Sequence, residues 1–220
     1  MIGAGYTRAQ GKERVIMSTT VKNRTTSTNI RKIAVTAMLA ALAAVIQLLE
    51  IPLPALIPEF IKIDFSELPA LIASFVVSPL AGIPVCLVKN IIKLSTTSSA
   101  GVGELCNFLL GVAMVVPAGF IYKYKKTRKG ALIACLTGCI ISAVLSLFVN
   151  YFISYPVYYQ LLAPEEVVLS LYQAINPNVK SIWEALIIFN VPFTFVKMLI
   201  DSIITFAIYK PLSNALKKIW

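Results

Sequence analysis

Apolar residues occur in long runs along this chain, and short polar or proline-rich segments separate the runs. A helix needs roughly 20 mainly apolar residues to cross a bilayer, because each residue adds only about 1.5 Å. Four runs have about this length and predict membrane-spanning helices, at 31–49, 104–122, 131–155 and 184–209.

A fifth apolar run, 68–94, is too long for one plain span and contains Ser78-Pro79, Gly82 and Pro84. Proline and glycine interrupt helices, so this run predicts two shorter helices, at 66–77 and 79–94. The pattern as a whole therefore predicts an all-α membrane protein, a bundle of six transmembrane helices.

Prolines also shape the expected connections. Three of them within 51–63 predict a hydrophobic loop, which must pack against the bundle or lie at the membrane interface. We expect Pro156 to end the fifth helix and Pro192 to kink the sixth. In the connection 157–183, a Pro-Glu-Glu sequence and a later Asn-Pro are typical of a helix start and stop, and we interpret the segment between them as a short interfacial helix.

The first 30 residues are polar and contain no apolar run, which predicts a polar tail ahead of a transmembrane domain over 31–215. We expect the true start to be Met17, because Gly11-Lys12-Glu13 can be encoded by a purine-rich run that resembles a bacterial ribosome-binding site.

Composition supports the membrane class. Hydrophobic residues make up 58% of the chain and charged residues 14%, and the mean hydropathy is +0.80, whereas a soluble domain carries about 25% charged residues. Histidine, the commonest general base and metal ligand near neutral pH, is absent. No catalytic set of residues is visible, so we expect neither an enzyme nor a metal site. The four cysteines lie in apolar segments and are expected to pack as small apolar residues.

Basic residues predict the orientation. Fifteen of the 20 lysines and arginines lie before residue 33, within 123–129 or after Tyr209, and these segments share one side of a six-span protein. This is the positive-inside distribution, so both termini are expected in the cytoplasm, with the basic segments against the anionic inner leaflet of a bacterial plasma membrane. Basic residues that flank membrane spans do not indicate a nucleic-acid partner.

Small residues line the first predicted helix. Ala37 with Ala41, and Ala40 with Ala44, are spaced at i, i+4 and allow another helix to approach closely. The approaching helix belongs either to a partner subunit or to this chain, and the spacing alone does not decide between them.

Polar residues collect near the expected outer ends of the helices, at Asp64, Ser66, Glu67, Gly103, Glu104, Asn107 and Asn150. Acidic residues in a first helical turn often only favour the helix dipole, which is the alternative for Glu67 and Glu104. An amide that faces lipid costs free energy, so Asn107 and Asn150 are stronger candidates for a functional role.

Lys197 lies about 20 Å along the sixth helix from Glu184, near mid-bilayer, where a lysine costs roughly 2.5 kcal/mol or more. It therefore needs a polar cavity, a ligand, or a carboxylate such as Asp201 one turn later. Lys89 and Lys93, near the outer end of the third helix, are expected to extend their ammonium groups to the interface.

Taken together, these residues resemble the substrate-binding S components of energy-coupling factor (ECF) vitamin transporters, and among them the riboflavin type. The resemblance covers about 30–215. It rests on the alanine-rich first helix and then, in order, on IDFSELPAL at 63–71, SPLAG at 78–82, KN at 89–90, GELCNF at 103–108, NYF at 150–152 and PFTFVK at 192–197.

The resemblance implies a six-helix bundle with a vitamin pocket near the outer face, and the loop after the first helix acts as its lid. It implies that the alanine stripe docks to a membrane coupling subunit that carries two ATPase subunits, so the chain itself hydrolyses nothing. The substrate would be riboflavin, and no covalent cofactor is expected. The implied ligand-binding residues are Phe60, Asp64, Gly103, Glu104, Asn107, Asn150, Thr194 and Lys197, with Phe65, Phe108 and Tyr155 as further aromatic walls.

Alternatives remain at this point. Riboflavin-type members carry asparagine where this chain has Thr194, so FMN, or another vitamin such as thiamine or pantothenate, is an alternative substrate. A membrane assembly factor without a transport role is the alternative from another class.

The charge distribution makes a testable prediction about topology. In intact cells, a single cysteine at position 170 should react with an impermeant thiol reagent, and one at position 126 should be protected, because basic loops stay in the cytoplasm. A cysteine-free background serves as the control. Labelling at 126 with protection at 170 would contradict the orientation.

Overall fold

The computed structural model describes residues 29–58, 61–97, 99–161 and 163–217, with side chains described up to residue 208. The tail before residue 29, with the expected start at Met17, and the predicted site residue Phe60 lie outside these residues.

The described chain is built almost entirely from helices. Two short antiparallel strands, β1 (Ile51–Pro52) and β2 (Lys62–Ile63), pair in the segment that follows the first helix. The helices are α1 (Asn29–Leu48), α2 (Glu67–Val76), α3 (Gly82–Lys93), α4 (Val102–Tyr124), α5 (Arg128–Leu161), α6 (Glu165–Gln173) and α7, which begins at Ile182 and continues to Lys217.

Among the described residues, four helices are long and apolar enough to cross a membrane, namely α1, α4, α5 and the part of α7 up to Ile208. The predicted all-α membrane class is thereby confirmed. Helices α2 and α3 occur where the interrupted apolar run predicted them, but they have 10 and 12 residues. At about 1.5 Å per residue they are shorter than a full span.

Helix α2 lies at the centre of the bundle, where it contacts α3, α4 and α7. Most of its residues are buried, and Ala70, Leu71 and Ala73 are fully enclosed. A helix enclosed on all sides has no solvent-facing surface, and apart from Glu67 in its first turn and Ser74 its residues are apolar. It ends just before Ser78-Pro79, because proline disfavours helical backbone in the residue before it.

Helices α4 and α5 pack closely along their length. A Cβ atom at Gly138 would lie 2.6 Å from the backbone oxygen of Met114, so only glycine permits this approach. The contact holds α4 in the position from which its first turn faces the cavity described below.

Two turns of π-helix interrupt the long helices, at Asn150–Ser154 in α5 and at Leu186–Asn190 in α7. Each ends two residues before a proline, Pro156 or Pro192. The prediction that Pro156 ends the fifth helix is wrong, since α5 continues to Leu161. A proline ring clashes with the carbonyl four residues earlier in an α-helix, and here that carbonyl lies in the wider π turn.

The connecting segments pack on the bundle. The short helix predicted in the connection 157–183 is confirmed as α6, and it buries Val168 and Tyr172 against the ends of α5 and α7. The hydrophobic loop predicted over 51–63 packs inward only in part, because Ile57 and Pro58 are buried whereas Ile51 and Leu56 are exposed.

The four alanines of the stripe lie on two different faces of helix α1. Ala40 and Ala44 are buried inside the chain, whereas Ala37 and Ala41 are exposed. Ala40 and Ala44 are therefore packing residues of this chain, and only Ala37 and Ala41 remain available to a partner helix.

Candidate ligand-binding site

One cavity brings together the polar residues that the sequence distributes over the whole chain. Its wall includes the end of α1, the segment around β2, the end of α3, the first turns of α4, the π turn of α5 and the middle of α7. Seven of the eight predicted ligand-binding residues line it, Phe60 lying outside the described chain: Asp64, Gly103, Glu104, Asn107, Asn150, Thr194 and Lys197.

The aromatic walls differ in part from the prediction. Tyr155 lines the cavity as expected, but Phe65 and Phe108 do not, and Tyr158 and Phe193 line it instead. Phe108 packs against the core of the bundle. The sequence identifies aromatic residues near the site but not the direction in which each ring points.

A buried ion pair lies at one side of the cavity. The Lys197 ammonium group donates to Asp64 Oδ2 at 2.8 Å and lies 3.4 Å from Glu67 Oε2. Asp64 is fixed in turn, because the backbone N–H of Ser66 donates to its Oδ1 at 2.9 Å and the Ser66 hydroxyl bonds the same oxygen. Burial acts to raise the pKa of Asp64, but the charges of Lys197 and Lys89 outweigh it and hold the pKa well below its ordinary value.

Asp201, which the i, i+4 spacing offered as a partner for Lys197, is not the partner that the structure shows. Asp201 is fully buried, and neither of its carboxylate oxygens has a hydrogen-bond partner among the described residues. The ion pair is formed with Asp64, which lies 133 residues away in sequence. The i, i+4 spacing places two side chains on one face of a helix, but a residue from another helix can approach more closely.

For two charged residues of this network, Lys89 and Glu67, the sequence predicted other roles. Lys89 does not extend to the interface, since it is fully buried and its ammonium group lies 2.5 Å from Glu67 Oε1. Glu67 likewise does more than favour the helix dipole, since it forms the ion pair with Lys89. The available signal was the occurrence of two acids and two lysines, Asp64, Glu67, Lys89 and Lys197, within apolar segments, because buried charges require partners.

A second ion-pair cluster lies at the edge of the cavity where α1 and α3 end. Glu50 Oε1 bonds Lys62 at 2.6 Å and Lys93 at 2.8 Å, so β2 and α3 are held to the end of α1. Lys93 is therefore paired and does not reach freely toward the interface. Burial acts to raise the pKa of Glu50, but the hydrogen bonds and charges of the two lysines outweigh it and lower the pKa.

Glu104 organises the polar side of the cavity at the start of α4. Its Oε2 atom accepts hydrogen bonds from Thr97 at 2.9 Å and Ser99 at 3.0 Å. Within the described chain no donor is recorded at Oε1. The residue lines the cavity, so this carboxylate can accept hydrogen bonds from a ligand's hydroxyl groups.

Helix α6 supports the opposite wall. Tyr172 donates to Asn190 Oδ1 at 2.7 Å, and its hydroxyl also bonds the Tyr155 hydroxyl. Asn190 and Tyr155 both line the cavity, whereas Tyr172 lies behind them. Asn190 was not among the predicted site residues, although it ends the π turn that precedes Pro192.

The fold and the cavity define a class of protein. A bundle of apolar helices encloses a polar cavity with fixed charges, hydroxyl groups and amides but without an acid–base or nucleophilic constellation among the described residues. This is the arrangement of a membrane-embedded substrate-binding protein.

Comparisons with known proteins identify the family. The profile of the family described as "ECF transporter, substrate-specific component" matches residues 31–209. The chain belongs to this family, so it is a transport component and not an enzyme.

Two curated relatives and one solved structure are similar. The "Riboflavin transporter RibU" of Staphylococcus aureus is 32% identical over 189 residues, which cover 86% of this chain and 94% of that protein. The "Riboflavin transporter FmnP" of Bacillus subtilis is 36% identical over 112 residues, 50% of this chain and 58% of that protein.

The solved structure is described as "Structure and mechanism of the S component of a bacterial ECF transporter". It superposes with a TM-score of 0.68 at 28% identity, and the match covers 86% of this chain and 99% of that one. The fold is therefore that of an S component.

The ion pair makes a prediction about stability. Asp64→Asn should lower the free energy of unfolding by about 3 kcal/mol, the lower end for breaking a buried pair, because Glu67 still lies close to Lys197. Adding Lys197→Met should recover most of the loss, since no unpaired charge then remains at this position. Equilibrium unfolding in mixed detergent micelles measures both effects.

Asp201→Asn is the matched control, and we expect it to change the same quantity by less than about 1 kcal/mol, because no hydrogen bond of Asp201 is lost. A larger loss for Asp201→Asn than for Asp64→Asn would make Asp201 the partner of Lys197.

Proposed function

We propose that this protein is the riboflavin-binding subunit of an ECF-type uptake transporter. The observation that carries the proposal is the convergence of Asn107, Asn150, Thr194 and Lys197 on one cavity, in a chain whose curated relatives are named riboflavin transporters. Amide, hydroxyl and ammonium groups match the alternating donors and acceptors at the edge of a flavin ring.

Riboflavin combines a flat ring system with a hydroxylated chain, and the cavity offers complementary regions for both. Tyr155, Tyr158 and Phe193 supply aromatic surface for the ring. Glu104, with the hydroxyl groups of Thr97 and Ser99 beside it, suits the chain, because a carboxylate accepts hydrogen bonds from hydroxyl groups. FMN differs from riboflavin by a phosphate on this chain, and it stays the alternative form of the substrate.

Because position 194 is a threonine, another vitamin is a second candidate substrate. Threonine offers one hydroxyl where the riboflavin type has an amide, and it cannot donate and accept through two separate atoms. Thiamine or pantothenate therefore remains the alternative. Membership of a transporter family counts against the other alternative, an assembly factor without transport.

The energy for transport would come from partners. In this proposal a membrane coupling subunit with two ATPase subunits binds the exposed Ala37–Ala41 side of α1, and ATP hydrolysis there drives delivery of the vitamin. The side chains around these alanines, including Met38, Leu42 and Val45, are apolar and exposed, which suits a helix partner within the bilayer.

The proposed location is a bacterial plasma membrane, with both termini in the cytoplasm. This orientation does not depend on whether α2 and α3 each cross the bilayer. Two complete crossings and a hairpin that enters and leaves on one side both return the chain to the same face, so the basic segments remain together in either case.

Flavin binding tests the proposed function directly. The purified protein should bind riboflavin and quench its fluorescence, whereas Lys197→Met/Asp64→Asn should weaken binding by about 1.5–3 kcal/mol, roughly 10- to 100-fold, because a charged donor is lost. The double variant avoids an unpaired buried carboxylate at residue 64.

Lys123→Met, which removes an exposed lysine at the end of α4, is the control and should bind as the wild type does. If the wild type binds thiamine or pantothenate but no flavin, the substrate is a different vitamin. Unchanged riboflavin affinity in the folded double variant would remove both residues from the site.

The docking surface makes a separate prediction. Ala37→Leu and Ala41→Leu should each prevent co-purification with the coupling subunit by steric obstruction, while riboflavin affinity stays unchanged. Val144→Leu adds the same kind of bulk to an exposed position of α5 and should assemble normally. Normal assembly together with lost riboflavin binding would instead assign these alanines to internal packing.

A further inference from the structure

The cavity exposes only part of the buried charge network. Asp64 and Lys197 line the cavity, whereas Glu67, Lys89 and Ser66 are buried behind them. The network contains two acids and two lysines, so its formal charge is balanced without any contribution from a ligand. Lys197 is the only one of the two lysines that lines the cavity.

Lys197 lies between two competing carboxylates. Its ammonium group is 2.8 Å from Asp64 Oδ2 and 3.4 Å from Glu67 Oε2. A lysine side chain is flexible and its three donors rotate freely, so the nearer and stronger acceptor decides where the ammonium group lies. Charge–charge interactions are strong in the low dielectric of the bundle. A change in the charge of either carboxylate therefore strongly changes the force on the Lys197 ammonium group.

Lys89 determines which of the two carboxylates attracts Lys197 more strongly. It donates to Glu67 Oε1 at 2.5 Å and to the Ser66 hydroxyl at 2.5 Å, and Ser66 in turn bonds Asp64. Lys89 thus neutralises the carboxylate behind the cavity, while Ser66 orients the carboxylate beside it. Without Lys89, Glu67 would keep only Lys197 as a cationic partner and would attract it away from Asp64 and from the cavity.

We propose that Lys89 is a positioning residue for substrate binding. By neutralising Glu67 it leaves the Lys197 ammonium group beside Asp64, where that group faces the ligand, and Lys89 itself does not touch the ligand. The inference rests on the proposed function in that riboflavin is the ligand. It adds a residue that acts through Lys197, with Glu67 as the carboxylate that Lys89 neutralises.

The test is a rescue experiment on riboflavin affinity. Lys89→Met should weaken riboflavin binding by about tenfold or more, because the charged hydrogen bond from Lys197 is misplaced. Lys89→Met/Glu67→Gln removes the unpaired anion as well, and its affinity should return to within about threefold of the wild type. The absorption spectrum of bound flavin in Lys89→Met should shift in the same direction as in Lys197→Met/Asp64→Asn, whereas the rescued variant should show the wild-type spectrum.

Asp201→Asn is the matched control, since it replaces a buried acid one turn from Lys197 that forms no ion pair within 4 Å among the described residues, and it should leave affinity and spectrum unchanged. A purely structural role of Lys89 predicts a different result. Lys89→Met would then unfold more easily but bind riboflavin with wild-type affinity and spectrum, and this outcome overturns the proposal.

A milder variant keeps the test decisive if Lys89→Met does not fold. Ser66→Ala removes the hydroxyl between Lys89 and Asp64 without removing a charge, and should weaken binding by about threefold or more. Ser66→Thr keeps the hydroxyl and should bind as the wild type does. Wild-type affinity in folded Ser66→Ala would contradict the proposal. Failure of the wild type to bind riboflavin would instead contradict the proposed function.

Discussion

The interaction on which the structure depends is the ion pair between Lys197 and Asp64, together with Glu67 and Lys89 behind it. Charges inside an apolar bundle are tolerated only when they are paired and hydrogen-bonded. Pairing these four requires that the start of α2 with the residues just before it, the middle of α3 and the middle of α7 meet at one point. The network therefore joins three helices at the side of the cavity, and it makes the same groups available for binding.

A second constraint is that a helix in lipid must satisfy its own backbone. Two of the long helices that border the cavity, α5 and α7, have a proline shortly after a π turn, and the wider turn accommodates the ring. Asn150 begins one of these turns and Asn190 ends the other, and both line the cavity. The irregular backbone thus occurs where it faces a polar space and places amide side chains in the wall.

The cavity and the exposed side of α1 are different parts of the protein, and they suit ligand binding and helix contacts respectively. One part of the cavity wall is the segment around β2, which ion pairs of Glu50 with Lys62 and Lys93 hold to the ends of α1 and α3. The exposed side of α1 instead presents small and apolar side chains. A protein whose chemistry is confined to binding, with an apolar side left for helix contacts, suits a subunit that relies on partners for energy.

Local patterns in the sequence determined the membrane class, the approximate positions of the helices and six of the residues that meet at the cavity, because apolar length, proline positions and charge placement act over short stretches of chain. Thr194, the seventh, was indicated only by the family resemblance. The partner of Lys197 was decided only by the tertiary structure. Spacing pointed to Asp201, one turn away, whereas Asp64 approaches from 133 residues earlier. The same holds for Lys89, which the packing of α2 against α3 buries, and for the alanine stripe, which the rotation of α1 divides into an inner and an outer face. Sequence spacing reports which side chains share a helix face, but only the packing of helices decides what that face meets.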